Sequence, residues 1–203
     1  MYKAALGRLS RGLIVAVLVS SQIFATATPL SDQQALARAS RNGLYLDGMV
    51  DYSNSAWDSG GSANAASWNF SGALGYQYNS MFAGEAGYWY FPSITDVTKA
   101  KGGTGTLNTD VFLFNAKVIH AIKSNIDLYV KGGFGFRQID FDGDTHDFEP
   151  YFAFGSDYIL NSNISFNAQF NYLSGNSSLN KAGLQSVPSY MGISLGVSYN
   201  FMG

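Results

Sequence analysis

Residues 140–144 read Asp140-Phe141-Asp142-Gly143-Asp144. Carboxylates at alternate positions are how an oxygen-donor calcium loop begins, because calcium collects several hard oxygen ligands. An EF-hand needs glycine at the sixth position of its loop, and Thr145 stands there. An Asp-Gly pair is also the signal of a tight hairpin turn. The turn is the expected role, and no metal site is assigned, although Asp147 and Glu149 add acidity that weak cation binding could use. Histidine is the other source of chemistry, and the chain has His120 and His146 only. A hydrolase or acyltransferase built on strands needs His beside Ser or an acid on one strand face. His120 has Ser124 four residues on, and His146 lies near Asp144 and Asp147. Neither shows the His-x-Ser spacing that puts both groups on one face. With no cysteine, thiolate nucleophiles, Cys-ligated zinc and disulfides are excluded. No catalytic residue, cofactor or metal ligand is therefore assigned, and the expectation is a protein that is not an enzyme.

Composition says what must position the remaining charges. Only 13% of residues are charged, 15% are aromatic, and there are 23 glycines against 4 prolines. A soluble domain carries about twice that charged fraction. Mean hydropathy is nevertheless −0.01, far too polar for a helical membrane protein. A barrel with an apolar outside and a polar inside has that average. The N-terminus reads as a secretory leader over residues 1–27: Lys3, Arg8 and Arg11 precede an apolar core at Leu13–Leu18, and Ala25-Thr26-Ala27 is an A-x-A cleavage site. The apolar run is too short to span a bilayer as a helix. The leader takes three of the 12 basic residues and none of the 14 acidic ones, so the mature chain is acidic. That argues against nucleic-acid binding, which needs a basic face. Residues 28–42 hold a capping-box pair, Ser31 and Gln34, and are expected to form a short periplasmic helix or tail.

From Gly43 the apolar period becomes two. Eight strand-length segments follow, at about 43–54, 66–78, 81–92, 109–122, 126–137, 148–160, 163–173 and 189–201. The last is the most regular: Met191, Ile193, Leu195, Val197, Tyr199 and Phe201 alternate with Tyr190, Gly192, Ser194, Gly196, Ser198 and Asn200. Tight turns at 79–80, 123–125 and 161–163 alternate with long polar connections at 55–65, 93–108, 138–147 and 174–188. The expected fold is all-β: an eight-stranded antiparallel transmembrane β-barrel over residues 43–203, with strands in up-and-down order. When each strand's phase is set by its apolar residues, Asp47, Asp51, Glu85, Lys117, Asp127, Lys131, Arg137, Glu149 and Asp157 fall on the opposite face. Asp110 is the charged exception, at a rim. Charge facing lipid costs about 2–4 kcal/mol for Lys or Arg near the midplane, whereas charge facing a lumen can pair. A soluble sandwich also alternates, but it hides its apolar face and shows its charged one. Aromatic residues gather near strand ends, at Tyr45, Tyr52, Trp68, Tyr76, Tyr78, Tyr88, Trp89, Tyr90, Tyr158, Tyr172, Tyr199 and Phe201, as interfacial girdles require, and some of these rings must instead point into the lumen.

This pattern resembles the small eight-stranded outer-membrane proteins of the OmpA/OmpX type, grouped with opacity-like surface antigens. The resemblance covers residues 43–203 and implies a bacterial outer-membrane location, with outer-membrane lipids and lipopolysaccharide as neighbours. It also implies a terminal assembly signal read by the barrel-assembly machinery, here Tyr199 and Phe201 in Val197-Ser198-Tyr199-Asn200-Phe201. The sequence departs from that rule because Met202 and Gly203 follow Phe201. The peptidoglycan-binding domain that follows the barrel in longer relatives is not expected. The preferred function is a non-enzymatic surface protein acting through its outer loops, in adhesion, host interaction or envelope integrity, on a host or extracellular ligand. The alternatives are a narrow channel or small apolar-ligand transporter, and a lipid-A-modifying enzyme. Cleavage after Ala27 gives a mature N-terminus at Thr28, which N-terminal sequencing of the purified protein checks; a mass that includes residues 1–27 contradicts it.

Overall fold

A strand that alternates apolar and polar side chains must keep its two faces in different surroundings. In the computed structural model, which describes residues 41–56, 66–98, 104–141, 144–175 and 187–201, eight such strands meet that demand by closing on themselves. They are β1 (Gly43–Ala56), β2 (Ala66–Gln77), β3 (Phe82–Thr98), β4 (Thr104–Lys123), β5 (Ile126–Asp140), β6 (Asp144–Ile159), β7 (Ile164–Leu173) and β8 (Ser189–Asn200). Each pairs antiparallel with its chain neighbour, and β8 pairs with β1 from Tyr45↔Asn200 to Ala56↔Ser189. The expected eight-stranded meander barrel is the observed fold. The leader at 1–27, nearly all of the segment 28–42, the middles of three long connections, Asp142-Gly143 and Met202-Gly203 lie outside the described residues.

The outward face carries a continuous apolar band along the middle of the strands. Leu195 is 65% exposed and Phe148 70%, an exposure no water-facing sheet sustains in a continuous band. Outward rings touch across strands, as in Tyr52 with Trp68 at 5.1 Å and Tyr88 with Phe112 at 5.2 Å. Among the strand-end aromatic residues, Tyr45 and Trp89 are ones that point inward and are buried. They share the phase of the charged residues rather than that of the apolar row.

At one end the connections are tight, and two of them use the same chemistry. The Asn79 side-chain oxygen accepts from the backbone N–H of Met81 and Phe82, at 2.8 and 2.9 Å. Asn161 does the same for Asn163 and Ile164, at 2.9 and 2.8 Å. An Asx turn of this kind reverses the chain without help from the tertiary structure.

The other end differs from expectation in two places. The connection assigned to 93–108 is mostly strand, because β3 runs to Thr98 and β4 starts at Thr104. The one at 138–147 shrinks to 141–143, with Asp140 and Asp144 as register partners. His146 is consequently a strand residue, stacked on Phe136 at 5.4 Å, and not a loop residue. Both stretches are polar, so composition alone reads them as loop. Their alternation is carried by buried Leu107, Thr109, Ile139 and Thr145, only one residue in two. β3 also slips register at Phe91/Ile94, where Pro92 has no N–H to give the ladder.

Tyr199 and Phe201 stack edge to face at 5.2 Å on the outward side, and the Phe201 N–H donates to Leu44 O at 3.0 Å. Phe201 thus seals the last strand onto the first. Phe201→Ala is expected to lower the yield of folded barrel, read as heat-modifiable gel migration. Removal of Met202 and Gly203 should leave that yield unchanged. The opposite pair of results would show that the terminal ring is not the assembly determinant.

Candidate functional site: the barrel lumen

All nine charged positions assigned to the lumen are buried on the inward face. They form three groups at different depths. In the middle, Lys131 of β5 places Nζ 2.8 Å from Glu85 Oε2 and 3.9 Å from Asp47 Oδ2, and it is 2% exposed. Lys117 of β4 is its register partner, yet it takes a different acid, Asp157, at 2.9 Å. Two lysines on adjacent strands would repel. The Tyr129 ring lies against both ammonium groups, at 4.1 Å from Lys117 Nζ and 5.2 Å from Lys131 Nζ, and its face attracts each of them. Tyr45 completes the group by donating its hydroxyl to Glu85 Oε1 at 2.6 Å. Its ring lies over Gly75, directly opposite in register, where any Cβ would come within 2.2 Å of the ring.

Asp51 lies toward the long-connection end and has no cation beside it. It accepts from Ser71 Oγ at 2.8 Å, from Asn171 Nδ2 at 3.2 Å and from the Ser194 hydroxyl. Asn171 also accepts from Tyr151 and Gln169, each at 2.8 Å, and Gln169 accepts from Tyr129 at 3.0 Å. Neutral donors therefore hold Asp51 and brace six strands across the lumen. A cavity of about 20 Å³ remains between Asp51, Glu85, Lys131, Asn115 and Trp89, room for about one water molecule.

The third group departs from the expected pairing. Arg137 does not bind a carboxylate. Its Nη1 and Nη2 donate to the backbone carbonyls of Pro188 and Ser174, at 2.8 and 3.0 Å, and the guanidinium faces the Tyr190 ring at 5.0 Å. Glu149 lies inward near this end, and Asp127 inward near the tight turns. The sequence reading missed Tyr45 and Tyr129 as members of the charged group. Both were legible, since Tyr45 stands two residues before Asp47, and Tyr129 between Asp127 and Lys131, all in one phase.

Among the described residues no group of three or more His, Asp or Glu side chains is placed to hold a metal ion. His120 lies on the outward phase of β4, and Ser124 in the turn beyond that strand. Asp110, the outward exception, accepts from the Tyr88 hydroxyl at 2.6 Å.

The profile of the outer membrane protein beta-barrel domain family matches residues 23–201. The chain belongs to this family. No curated protein matches it. Its fold is similar to that of Neisserial surface protein A, with a TM-score of 0.60 over 79% of this chain and 98% of that one, at 15% identity. OprG of Pseudomonas aeruginosa is similar at TM-score 0.54, over 82% of this chain and 99% of that one, at 13% identity. At such identities the likeness is one of fold. The outer membrane β-barrel accordingly sits in the bacterial outer membrane, its apolar outward band against lipid. Short turns are the periplasmic ends of such barrels and long connections the outer ends.

Within that barrel the central pairs are the costliest groups to disturb. Lys131→Met leaves Glu85 and Asp47 buried without their cation. Losing one partner of a buried pair costs about 3–5 kcal/mol. Urea unfolding in lipid vesicles should show that loss, and a larger one than for any exposed substitution such as Asp144→Asn. A Lys131→Met barrel as stable as wild type would mean that lumen water solvates these charges.

Proposed function

We propose that this outer membrane β-barrel is a non-enzymatic surface protein with a filled lumen, and that it acts through the outer ends of its strands. One observation carries the reading. β6 pairs with β7 only as far as Tyr151↔Leu173, and β3 with β2 only as far as Phe70↔Tyr90. Beyond those rungs β3, β4, β5 and β6 stay paired with one another, up to Thr98↔Thr104 and Asp140↔Asp144. Among the described residues β3 to β6 therefore form a four-stranded sheet whose β3 and β6 edges run on past their pairing with β2 and β7. Its β3 edge is blunted by Pro92 and two register shifts, a common protection for exposed edges. Its β6 edge keeps an unbroken register with β5 from Asp144 to Glu149. Among the described residues one bond continues β7 along it, Ser174 N–H to Pro150 O at 3.0 Å. An edge of this kind can accept an extended peptide as an added strand. The exposed residues flanking the hairpin, Asp140 and Asp144, favour a ligand that is basic there.

The filled lumen supports the same reading over a channel, since eight strands leave an interior that side chains can fill. His120 and His146 both lie on the outward phase of their strands, away from the polar lumen, which supports it over a lipid-A-modifying enzyme that works from the lumen. The test is binding of the purified, refolded protein to immobilised host-cell and matrix components. A variant with residues 138–146 replaced by a two-residue Asn-Gly turn should remain heat-modifiable and lose most of that binding. Equal binding by the shortened barrel, or a mass change in lipid A on expression, would overturn the proposal.

A further inference from the structure

The outer edge of β6 offers its backbone groups unevenly. Successive residues of a strand point their N–H and C=O to opposite sides, and the bonds of β6 fix which side is which. Ile159 N–H donates to Asn125 O on the β5 side at 2.8 Å, whereas Leu160 N–H donates to Ile164 O on the β7 side at 3.0 Å. Pro150 O accepts from Ser174 N–H, so the even-numbered residues face β7. The register with β5 runs without a shift from Ile126↔Tyr158 to Asp140↔Asp144, so the same parity holds up to the hairpin. Among the described residues β7 stops pairing at Tyr151, and the edge beyond it presents Pro150, Phe148, His146 and Asp144. Pro150 has no N–H to offer. The Phe148 N–H is already taken, because it donates to Asp147 Oδ1 at 2.9 Å. A carboxylate of the same strand thus caps the edge just above the last rung with β7.

The cap and an incoming strand compete for one donor. A strand added antiparallel along β6 makes hydrogen-bonded pairs opposite Phe148 and His146, and a non-hydrogen-bonded pair opposite Asp147. Side chains come closest in the second kind of pair, with Cα atoms about 4.5 Å apart. The rung at Phe148 is complete only if its N–H leaves Asp147. A neutral side chain opposite Asp147 leaves the carboxylate on that N–H. A Lys or Arg there meets the carboxylate with opposite charge, and Arg with two parallel bonds. Either compensates the carboxylate and frees the N–H for the incoming carbonyl. The residues on both sides of the basic one face outward, beside Phe148 and His146. Those two rings already touch Phe136, at 5.1 and 5.4 Å. Apolar or aromatic neighbours therefore extend an existing row of rings.

We propose that Asp147 is a specificity-determining cap on the β6 edge, and that this edge takes an extended peptide segment with a Lys or Arg opposite Asp147 between two apolar residues. The inference rests on the strand-addition reading above and narrows it. Asp140 and Asp144, exposed at the hairpin, add attraction for a basic partner of a general kind. Asp147 ties that attraction to a ladder bond, so charge decides whether the rung forms. An edge capped by its own chain is also protected against pairing with strands that lack the basic residue.

Fluorescence anisotropy on the full-length refolded protein tests it, with heat-modifiable migration as the check on folding. The probes are short labelled peptides of alternating Val and Thr, with Arg, Gln or Glu as the middle residue. Wild type should bind the Arg peptide about tenfold more tightly than the Gln peptide, and the Glu peptide least. Asp147→Ala removes cap and charge together. The Gln peptide should then gain about threefold to tenfold, the worth of one added ladder bond, and the preference for Arg should disappear. Asp147→Asn keeps an acceptor for the N–H without the charge, so the Arg peptide should bind it as weakly as the Gln peptide binds wild type. Asp144→Asn should leave the order of the peptides unchanged. A preference for Arg that survives Asp147→Ala, or a Gln peptide that gains nothing from it, overturns the cap while strand addition stands. Equal binding of the Arg peptide by the barrel with the shortened 138–146 turn, or no peptide binding by folded wild type, overturns strand addition and the cap with it.

Discussion

Inside a bilayer a backbone N–H or C=O has no water to bond, and an unpaired one costs several kcal/mol. A sheet can satisfy that condition only by having no edge, and β8 meets it by pairing with β1. The rest of the structure follows from this closure. With eight strands the enclosed space is just wide enough for side chains, so whatever alternation sends inward must pack there. Alternation sends in the charges that lipid excludes, together with the rings of Tyr45, Trp89, Tyr129, Tyr151 and Tyr190. The same pairing that lets the outward face carry an apolar band obliges the interior to solve an electrostatic problem.

The solution is division by depth. Lys117 and Lys131 are neighbours across β4 and β5, but each has its own acid, and the Tyr129 face lies between them. Asp51 is held by hydroxyl and amide donors, while Lys131 makes its ion pairs with Glu85 and Asp47. Of the three lumen cations Arg137 is held by the main chain, at carbonyls just outside β7 and β8. Isolated buried charges are too costly to leave unbonded, so each group has found the partners that its depth allows.

Above the hydrocarbon the closure condition lapses. Water can satisfy an edge, and β3, β4, β5 and β6 stay paired with one another beyond the rungs at which β2 leaves β3 and β7 leaves β6. The difference between the two edges of that four-stranded sheet is chemical: β3 carries Pro92 and slipped register, while β6 runs regularly from its hairpin. The outer end is thus the part of the molecule whose shape the bilayer does not constrain.

The sequence by itself determined the barrel, the number and order of its strands, and the inward phase of every lumen charge. These depend on a period of two and on the free energy of placing charge in lipid, both local properties of the chain. It determined two of the turns as well, because Asn79 and Asn161 fold their own backbone. It did not determine how far β3, β4, β5 and β6 extend. The segments around Leu107 and Ile139 are polar at most positions, and only their pairing with a neighbour that is also extended makes them strand. Nor did it decide which acid each lysine binds, that Asp51 goes without a cation, or that Arg137 turns to Ser174 and Pro188. Those choices depend on the depth at which side chains from distant strands meet across the lumen. Depth is fixed by the stagger of all eight strands at closure, a property of the closed barrel that no single segment contains.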